Sequence, residues 1–304
     1  MRIASLGSGS RGNATLVSID AGANAGANAG ADAGTQSTAG AVLVDCGFSL
    51  REMKRRAREK QFDLGEIRAI LVTHEHSDHC SGVAALSRHL QAPVYLTHGT
   101  AATGRVDGCF DTCTFNAGDS LQLAGMSVSA VAVPHDAREP VQYVFQHGAQ
   151  RIGVLTDLGS ITAHVTEAFA DCDALLLEFN HDSDLLAIGP YPATLKRRVG
   201  GDWGHLSNRQ AVELLQRLNH QRLQRVVIAH TSDKNNRQEC VESAIAASLP
   251  SLLPRVVWAS QEAGFEWIEL HAAVQNVFEP LPDKTVDHWH QRQASGHTRF
   301  AVEP

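Results

Sequence analysis

The chain has 304 residues, with 26 Lys and Arg against 33 Asp and Glu and a formal net charge of −7, which excludes a globally basic nucleic-acid coat but not a local basic patch. Hydrophobic residues at 43% and charged residues at 19% exclude wholesale disorder. No apolar run approaches the roughly 18 residues of a membrane span, and the start MRIASLGSGSRGN lacks a signal-peptide core, so a cytoplasmic chain without membrane contact is expected.

The first apolar alternation runs from Ile3 to Leu6. A small-residue loop from Gly7 to Asn13 follows, and then a second run from Thr15 to Ile19. Residues 21–40 are an Ala/Gly-rich insertion with almost nothing to bury, expected as a flexible loop between two strands. An Ala-rich helix is the alternative, and the recurring glycines weaken it. Regular sequence resumes at Ala41 to Asp45. From Leu50 to Lys60 the pattern is helical and basic, which predicts a charged surface face or a nucleic-acid contact.

A recurrent unit comes next. Apolar runs of strand length lead into polar residues: Ala69–Val72 into Thr73-His74, Val128–Val133 into Pro134-His135, and Arg151–Thr156 into Asp157. Ala174–Phe179 leads into Asn180-His181-Asp182, and Arg225–Ala229 into His230. Helical patterns intervene at 81–90, 161–170, 207–218 and 237–247, so the expected class is α/β, a sandwich of layers. Runs at 256–260 and 265–270 predict a final hairpin. Beyond it the periodicity fades. Residues 1–270 therefore read as one domain and residues 271–304 as a loosely ordered extension. The 6 cysteines form no C-x-x-C pair and read as free thiols, Cys80 as a small buried one.

Histidine is the unusual count, at 16, and its placement carries the chemistry. In Thr73-His74-Glu75-His76-Ser77-Asp78-His79, His74 and His76 stand two apart at a strand end and point the same way in extended backbone. Asp78 and His79 lie past the turn and can face a second centre. So many ligand-type side chains exceed what one ion of ordinary geometry takes, which predicts two metals close together. His135, Asp157 and His230 also sit just past strand runs, so their strand ends can gather at one edge. The expected assignment is His74, His76 and His135 to one ion, Asp78, His79 and His230 to the other, and Asp157 bridging through its two oxygens. The plain alternative is a polar, His-rich loop. An all N/O ligand sphere admits zinc or manganese, and iron as well. Two such ions imply hydrolysis by a metal-bridging hydroxide.

THEHSDH with downstream His135, Asp157 and His230 resembles the metallo-β-lactamase superfamily. Further segments resemble its WalJ/YycJ (VicX) branch: Gly7 to Asn13, Val44-Asp45-Cys46-Gly47, Pro134-His135-Asp136, Thr156-Asp157-Leu158-Gly159, Glu178 to Asp182, Gly189-Pro190-Tyr191-Pro192, Leu195 to Arg198, Gly204 to Asn208 and Ala229-His230. The resemblance implies a four-layer αββα sandwich, the ligand roles above and 5′-to-3′ DNA exonuclease activity, with DNA as substrate. The insertion after Asp20 and the tail after His271 depart from the pattern without touching a ligand.

Other residues complete the expectation. His205 precedes Ser207, a good N-cap, and can contact phosphate, protonate a leaving oxygen or merely brace its loop. His181 can be an acid, a prop for a ligand or a substrate contact, and Asp45 is expected to support a ligand. Catalytic roles are thus expected for Asp78, Asp157, His205 and His181. Substrate contacts are expected for Lys196, Arg197, Arg198, Ser207 and Asn208, the basic triplet reading alternatively as a solvated loop. The competing activities are a phosphodiesterase on DNA ends, a small-molecule hydrolase of a cyclic phosphodiester, thioester or lactam, and an accessory protein with a structural metal site. Closed ligand shells mark structural sites, and a shared carboxylate leaves positions open, which disfavours the last. No oligomeric state is read from the sequence.

Overall fold

The computed structural model describes residues 1–19, 40–218 and 220–271. The expected flexible insertion and C-terminal extension lie outside these residues, except at positions 40 and 271. The strands are β1 (Arg2–Gly7), β2 (Ala14–Ser18), β3 (Ala41–Val44), β4 (Ile67–Leu71), β5 (Val94–Thr97), β6 (Thr112–Phe115), β7 (Ser120–Leu123), β8 (Met126–Ala132), β9 (Val141–His147), β10 (Gln150–Leu155), β11 (Ala174–Glu178), β12 (Arg225–Ala229), β13 (Val256–Trp258) and β14 (Phe265–Glu269). The helices are α1 (Leu50–Glu59), α2 (Ser77–Cys80), α3 (Val83–Leu90), α4 (His98–Ala101), α5 (Ala163–Ala168), α6 (Ser183–Ile188), α7 (Ala193–Val199), α8 (Asn208–Arg217) and α9 (Gln238–Ser248). No helix among the described residues is long and apolar enough to cross a membrane.

The strands form two seven-stranded sheets, ordered β14-β1-β2-β3-β4-β5-β6 and β13-β12-β11-β10-β9-β8-β7. Their central strands are apolar on both faces, as strands covered on both sides must be. Val42, Val44, Ala69 and Leu71 of the first sheet pack between the sheets against Val154, Ala174, Leu176 and Val227 of the second. The alternate positions face outward. Leu43 and Ile70 pack with Met53 and Ala57 of α1 and Val83 and Leu86 of α3. Leu175, Leu177, Val226 and Ile228 pack with Val165 of α5, Leu214 and Leu215 of α8, and Val241 and Ile245 of α9. The period-2 pattern of each strand therefore builds an αββα sandwich. Pairing is parallel through β3, β4, β5 and β6 and through β10, β11, β12 and β13, so the C-terminal ends within each set share an edge.

Several local expectations differ from the structure. The final hairpin does not form: β13 pairs with β12 and β14 with β1, in different sheets, and the turn between them closes through the Ser260–Gly264 bridge. The helix expected at 81–90 forms from Val83 to Leu90 as α3, and a separate short helix, α2, precedes it. Gly82 separates them, and a Cβ there would lie 1.8 Å from the Phe48 carbonyl oxygen. Strand β9 escaped the pattern because Gln142 interrupts it, a buried amide whose Oε1 accepts from the Thr156 amide at 3.1 Å.

In α1 one basic residue, Arg56, is spent inside the fold, whereas Arg51, Arg55 and Arg58 face solvent. The buried Arg56 guanidinium donates to the carbonyls of Leu6 (2.6 Å), Gln261 (2.9 Å) and Glu262 (2.6 Å), pairs with Glu52 at 2.7 Å and lies over the Phe48 ring. Arg55 pairs with Glu52 and Glu59. Arg56 thus ties the helix layer to β1 and to the turn before β14. Arg56→Ala is expected to lower the unfolding free energy by about 3 kcal/mol, since it orphans these carbonyls. Urea unfolding reads this, and a change below about 1 kcal/mol, the net worth of a single ordinary hydrogen bond, would contradict it.

Candidate metal centre

Six segments deliver polar side chains to one edge of the sandwich: Asp45 after β3, Thr73 to His79 after β4, His135 after β8, Asp157 after β10, Glu178 at the end of β11 and His230 after β12. Asp45, Asp157 and His230 adopt left-handed backbone, with φ of 62°, 41° and 49°. Non-glycine residues held there cost of order 1–3 kcal/mol, and such strain concentrates at functional sites. His230 is fixed further by its amide, which donates to Ser8 Oγ at 3.0 Å.

The ligand-type atoms of His74, His76 and His135 lie within 4.8 Å of one another, as do those of Asp78, His79 and His230. Asp157 comes within the same reach of His74 and His79, and also of His135 and His205. The residues assigned from sequence to two ions therefore sit together as two groups joined by one carboxylate.

Hydrogen bonds orient the rings. His79 Nδ1–H donates to Asp45 Oδ2 at 2.8 Å, and His135 Nδ1–H donates to the Gly204 carbonyl at 2.9 Å, which leaves both Nε2 atoms facing the centre. His74 Nδ1 is 3.0 Å from Thr73 Oγ1. Asp45 Oδ1 in turn accepts from the Thr73 amide at 2.8 Å, so one carboxylate holds both ends of the Thr73–His79 ligand segment. The Gly7–Asn13 loop closes over this edge, with Asn13 Nδ2 3.2 Å from His79 Nε2.

The electrostatics fit a bound cation. Buried His74 Nε2, Asp157 Oδ2 and His230 Nδ1 have no hydrogen-bond partner, a costly state for polar atoms inside a protein. His135 Nε2 and His76 Nδ1 face each other at 3.3 Å. Burial holds His74 and His135 below the ordinary imidazole value, which keeps them neutral as metal ligands must be. Burial would also lower His79, but Asp157, Asp45 and Asp78 outweigh it and raise it well above that value. Burial would raise Asp157, yet His230, His79 and His74 hold it far below the ordinary carboxylate range. The carboxylates thus draw positive charge into the site, the charge that divalent ions would supply. The residues fit such ions.

His205 lies beside this cluster. Its Nδ1–H donates to Glu178 Oε2 at 3.0 Å and is 3.6 Å from Asp157 Oδ1. Glu178 is fully buried and also accepts from the amides of Leu158 (2.5 Å) and Leu206 (3.2 Å). The sequence reading gave Glu178 no role. Its signal was a carboxylate ending an apolar run whose neighbours in the sheet end in Asp157 and His230. Over the cluster opens a cleft of about 560 Å³, lined by His76, Asp78, Asp157, His205 and His230 and rimmed by Ser10, Arg105, Tyr191 and Arg198. Arg198 is ion-paired to Asp136.

The remaining expected residues lie elsewhere. His181 is buried and lines a separate pocket with Lys196 and Arg197, not the metal cleft, and burial pulls its imidazole down to about 4. Lys196 Nζ donates to the Ala187 carbonyl at 2.6 Å. Ser207 is buried and closes a capping box with Gln210, and buried Asn208 donates to Asn236 Oδ1 at 2.8 Å, so their polar atoms serve the fold. Cys80 joins no ligand group. It donates to the Glu75 carbonyl, and burial pushes its thiol up to about 11.

A family model described as the beta-lactamase superfamily domain matches residues 41–230. The chain is 30% identical over 212 residues to exodeoxyribonuclease YycJ of Bacillus anthracis, spanning 68% of this chain and 80% of that one. It is likewise 30% identical over 215 residues to exodeoxyribonuclease WalJ of Streptococcus pneumoniae serotype 2, with the same coverage. Zinc-bound PqqB of Methylobacterium extorquens superposes with a TM-score of 0.62 at 16% identity, covering 89% of this chain and all of that one, and so shares the fold.

Two outcomes follow from the geometry. Asp45→Asn is expected to weaken metal affinity about 10–100-fold by releasing His79. Competition with a chromogenic chelator reads this, and unchanged affinity would contradict it. In metal-stripped protein His230 stands at about 10, because Asp157, Asp78 and Glu178 outweigh the lowering effect of burial. A histidine raised above its unfolded value of about 6.5 stabilises fully below that pH and loses its contribution as pH climbs through the folded value. Stability of the stripped protein is therefore expected to fall between roughly pH 6.5 and the His230 value of about 10. Metal loading should remove that slope, and equal slopes in denaturant unfolding would refute this.

Proposed function

Because the chain belongs to the metallo-β-lactamase superfamily and is a WalJ-like, metal-dependent hydrolase, we propose that it is a dinuclear phosphodiesterase acting as a 5′-to-3′ DNA exonuclease. The observation that carries the dinuclear reading is the pair of three-residue groups with Asp157 in reach of a histidine of each, His74 and His79. His74, His76 and His135 would hold one ion, Asp78, His79 and His230 the other, and Asp157 both. The ions are zinc or manganese, iron being compatible with the same N/O donors. When bound, they supply Lewis acidity at the phosphate and a water ionised near neutral pH.

The chain's own residues account for the rest. Glu178 accepts from His205 Nδ1–H, which fixes the tautomer and leaves Nε2 as the other ring nitrogen beside the cleft. Nε2 can then take up the proton that the attacking water gives off and pass it to the leaving oxygen as the P–O bond breaks. Arg198, held by Asp136, and Arg105 bring positive charge to the cleft rim, where it favours a phosphodiester over a neutral ester. The exodeoxyribonuclease relatives support DNA as the polyanion. A cytoplasmic location is proposed with it, in keeping with free thiols at all 6 cysteines.

Metal analysis of protein purified without chelators is expected to find two equivalents per chain, and His76→Ala to lose one of them together with most turnover. His205→Ala is expected to lower kcat about 10²–10⁴-fold while metal content stays intact. The substrate reading is tested with 5′-labelled duplex DNA beside bis-p-nitrophenyl phosphate, nitrocefin and a thioester. Stepwise shortening of the duplex from its 5′ end supports it. Turnover of only the lactam or the thioester refutes it.

A further inference from the structure

Large hydrophobic side chains exposed among the described residues are Phe110 (53%), Ile188 (81%) and Trp203 (63%). Trp203 stands out by its placement, two residues before His205 and one before Gly204, both of which line the metal cleft. The loop that carries it is rigidly seated. Gly204 N–H donates to the Gly201 carbonyl at 2.8 Å, and His205 N–H to the Val199 carbonyl at 2.8 Å. The Gly204 carbonyl accepts from His135 Nδ1–H. Gly159, two residues past Asp157, packs so tightly beneath that a Cβ there would lie 2.6 Å from Trp203 Cα. The backbone of Trp203 is thus clamped to two ligand-bearing segments while its indole remains in solvent.

A single exposed apolar side chain is ordinary at a protein surface, so what singles out Trp203 is its place on the loop that carries Gly204 and His205 into the cleft. The cleft carries two guanidinium groups among its carboxylates, Arg198, 57% exposed and paired with Asp136, and Arg105. An aromatic side chain on an anchored loop, next to a cleft that carries guanidinium groups, has the chemistry of a single-strand platform: charge for the backbone, a π-face for the base. We propose that Trp203 stacks on a nucleobase of the strand whose phosphodiester occupies the cleft, and so sets the strand's position relative to His205. This rests on the nuclease reading above. Stacking is indifferent to base identity, so the proposal entails affinity for DNA without sequence preference.

The test uses the metal-loaded full chain on labelled DNA ends, with abasic sites placed one at a time along the first nucleotides. Trp203→Ala is expected to raise KM about 10-fold with kcat little changed. That penalty should vanish on the substrate abasic at the one stacked position, and Trp203→Phe should restore most of the loss. A role in folding alone would weaken turnover equally on every substrate. Unchanged KM, or a penalty independent of the abasic position, overturns the proposal. If the wild-type chain degrades no DNA, the nuclease reading fails separately. Stacking is then judged by quenching of tryptophan fluorescence with a single-stranded oligonucleotide: quenching lost in Trp203→Phe supports it, and its absence overturns it. A change of association state in Trp203→Ala, seen by light scattering with KM unaltered, would make the indole a protein contact and also overturn it.

Discussion

The constraint on which this molecule turns is the burial of like and unlike charge at one sheet edge. Asp45, Asp157 and Glu178 are withdrawn from water, and Asp78 is largely so. Isolated carboxylates in such a place would protonate. Here imidazoles from distant parts of the chain surround them, and together they demand positive charge. The parallel strands make this possible because their C-terminal ends coincide. The left-handed turns at Asp45, Asp157 and His230 let a strand stop abruptly while its next side chain faces across the edge. Arg56, far from the site, solves the opposite problem: one buried cation satisfied by carbonyls, which locks the helix layer to the sheet.

Much of the site was legible because its signals are local. His74 to His79 lie within one turn, and His135, Asp157 and His230 each end an apolar run. At the end of the run Ala174–Phe179, His181 drew a role and Glu178, inside the run, drew none. Strand β11 ends at Glu178, whereas His181 stands three positions beyond it and bridges to Ser207. Glu178 meets His205, and His181 lines a pocket with Lys196 and Arg197. The triplet Lys196-Arg197-Arg198 also divides. It lies in helix α7, where each residue turns about 100° from the last, and only Arg198 reaches the metal cleft.

The fold was legible at the level of strand content and layering, because period-2 apolar runs alternate with amphipathic helices. Strand partners were not. Two adjacent strands with a short connection ordinarily pair, yet β13 and β14 part company, because each sheet has an open edge at which one more strand saturates the backbone groups of β12 or β1. Short strands such as β6 and β7, each with a single buried residue, carried too little pattern to be seen.

That parting has a kinetic corollary. Strand β1 begins at the second residue, yet its outer hydrogen-bonding edge is not satisfied until β14 is available, more than 250 positions later. The other sheet likewise waits for β13. During synthesis both sheets would leave the ribosome with a raw flank, prone to pair with other chains, until nearly the whole domain has emerged. One short segment, residues 256–269, then supplies the remaining strand of each sheet.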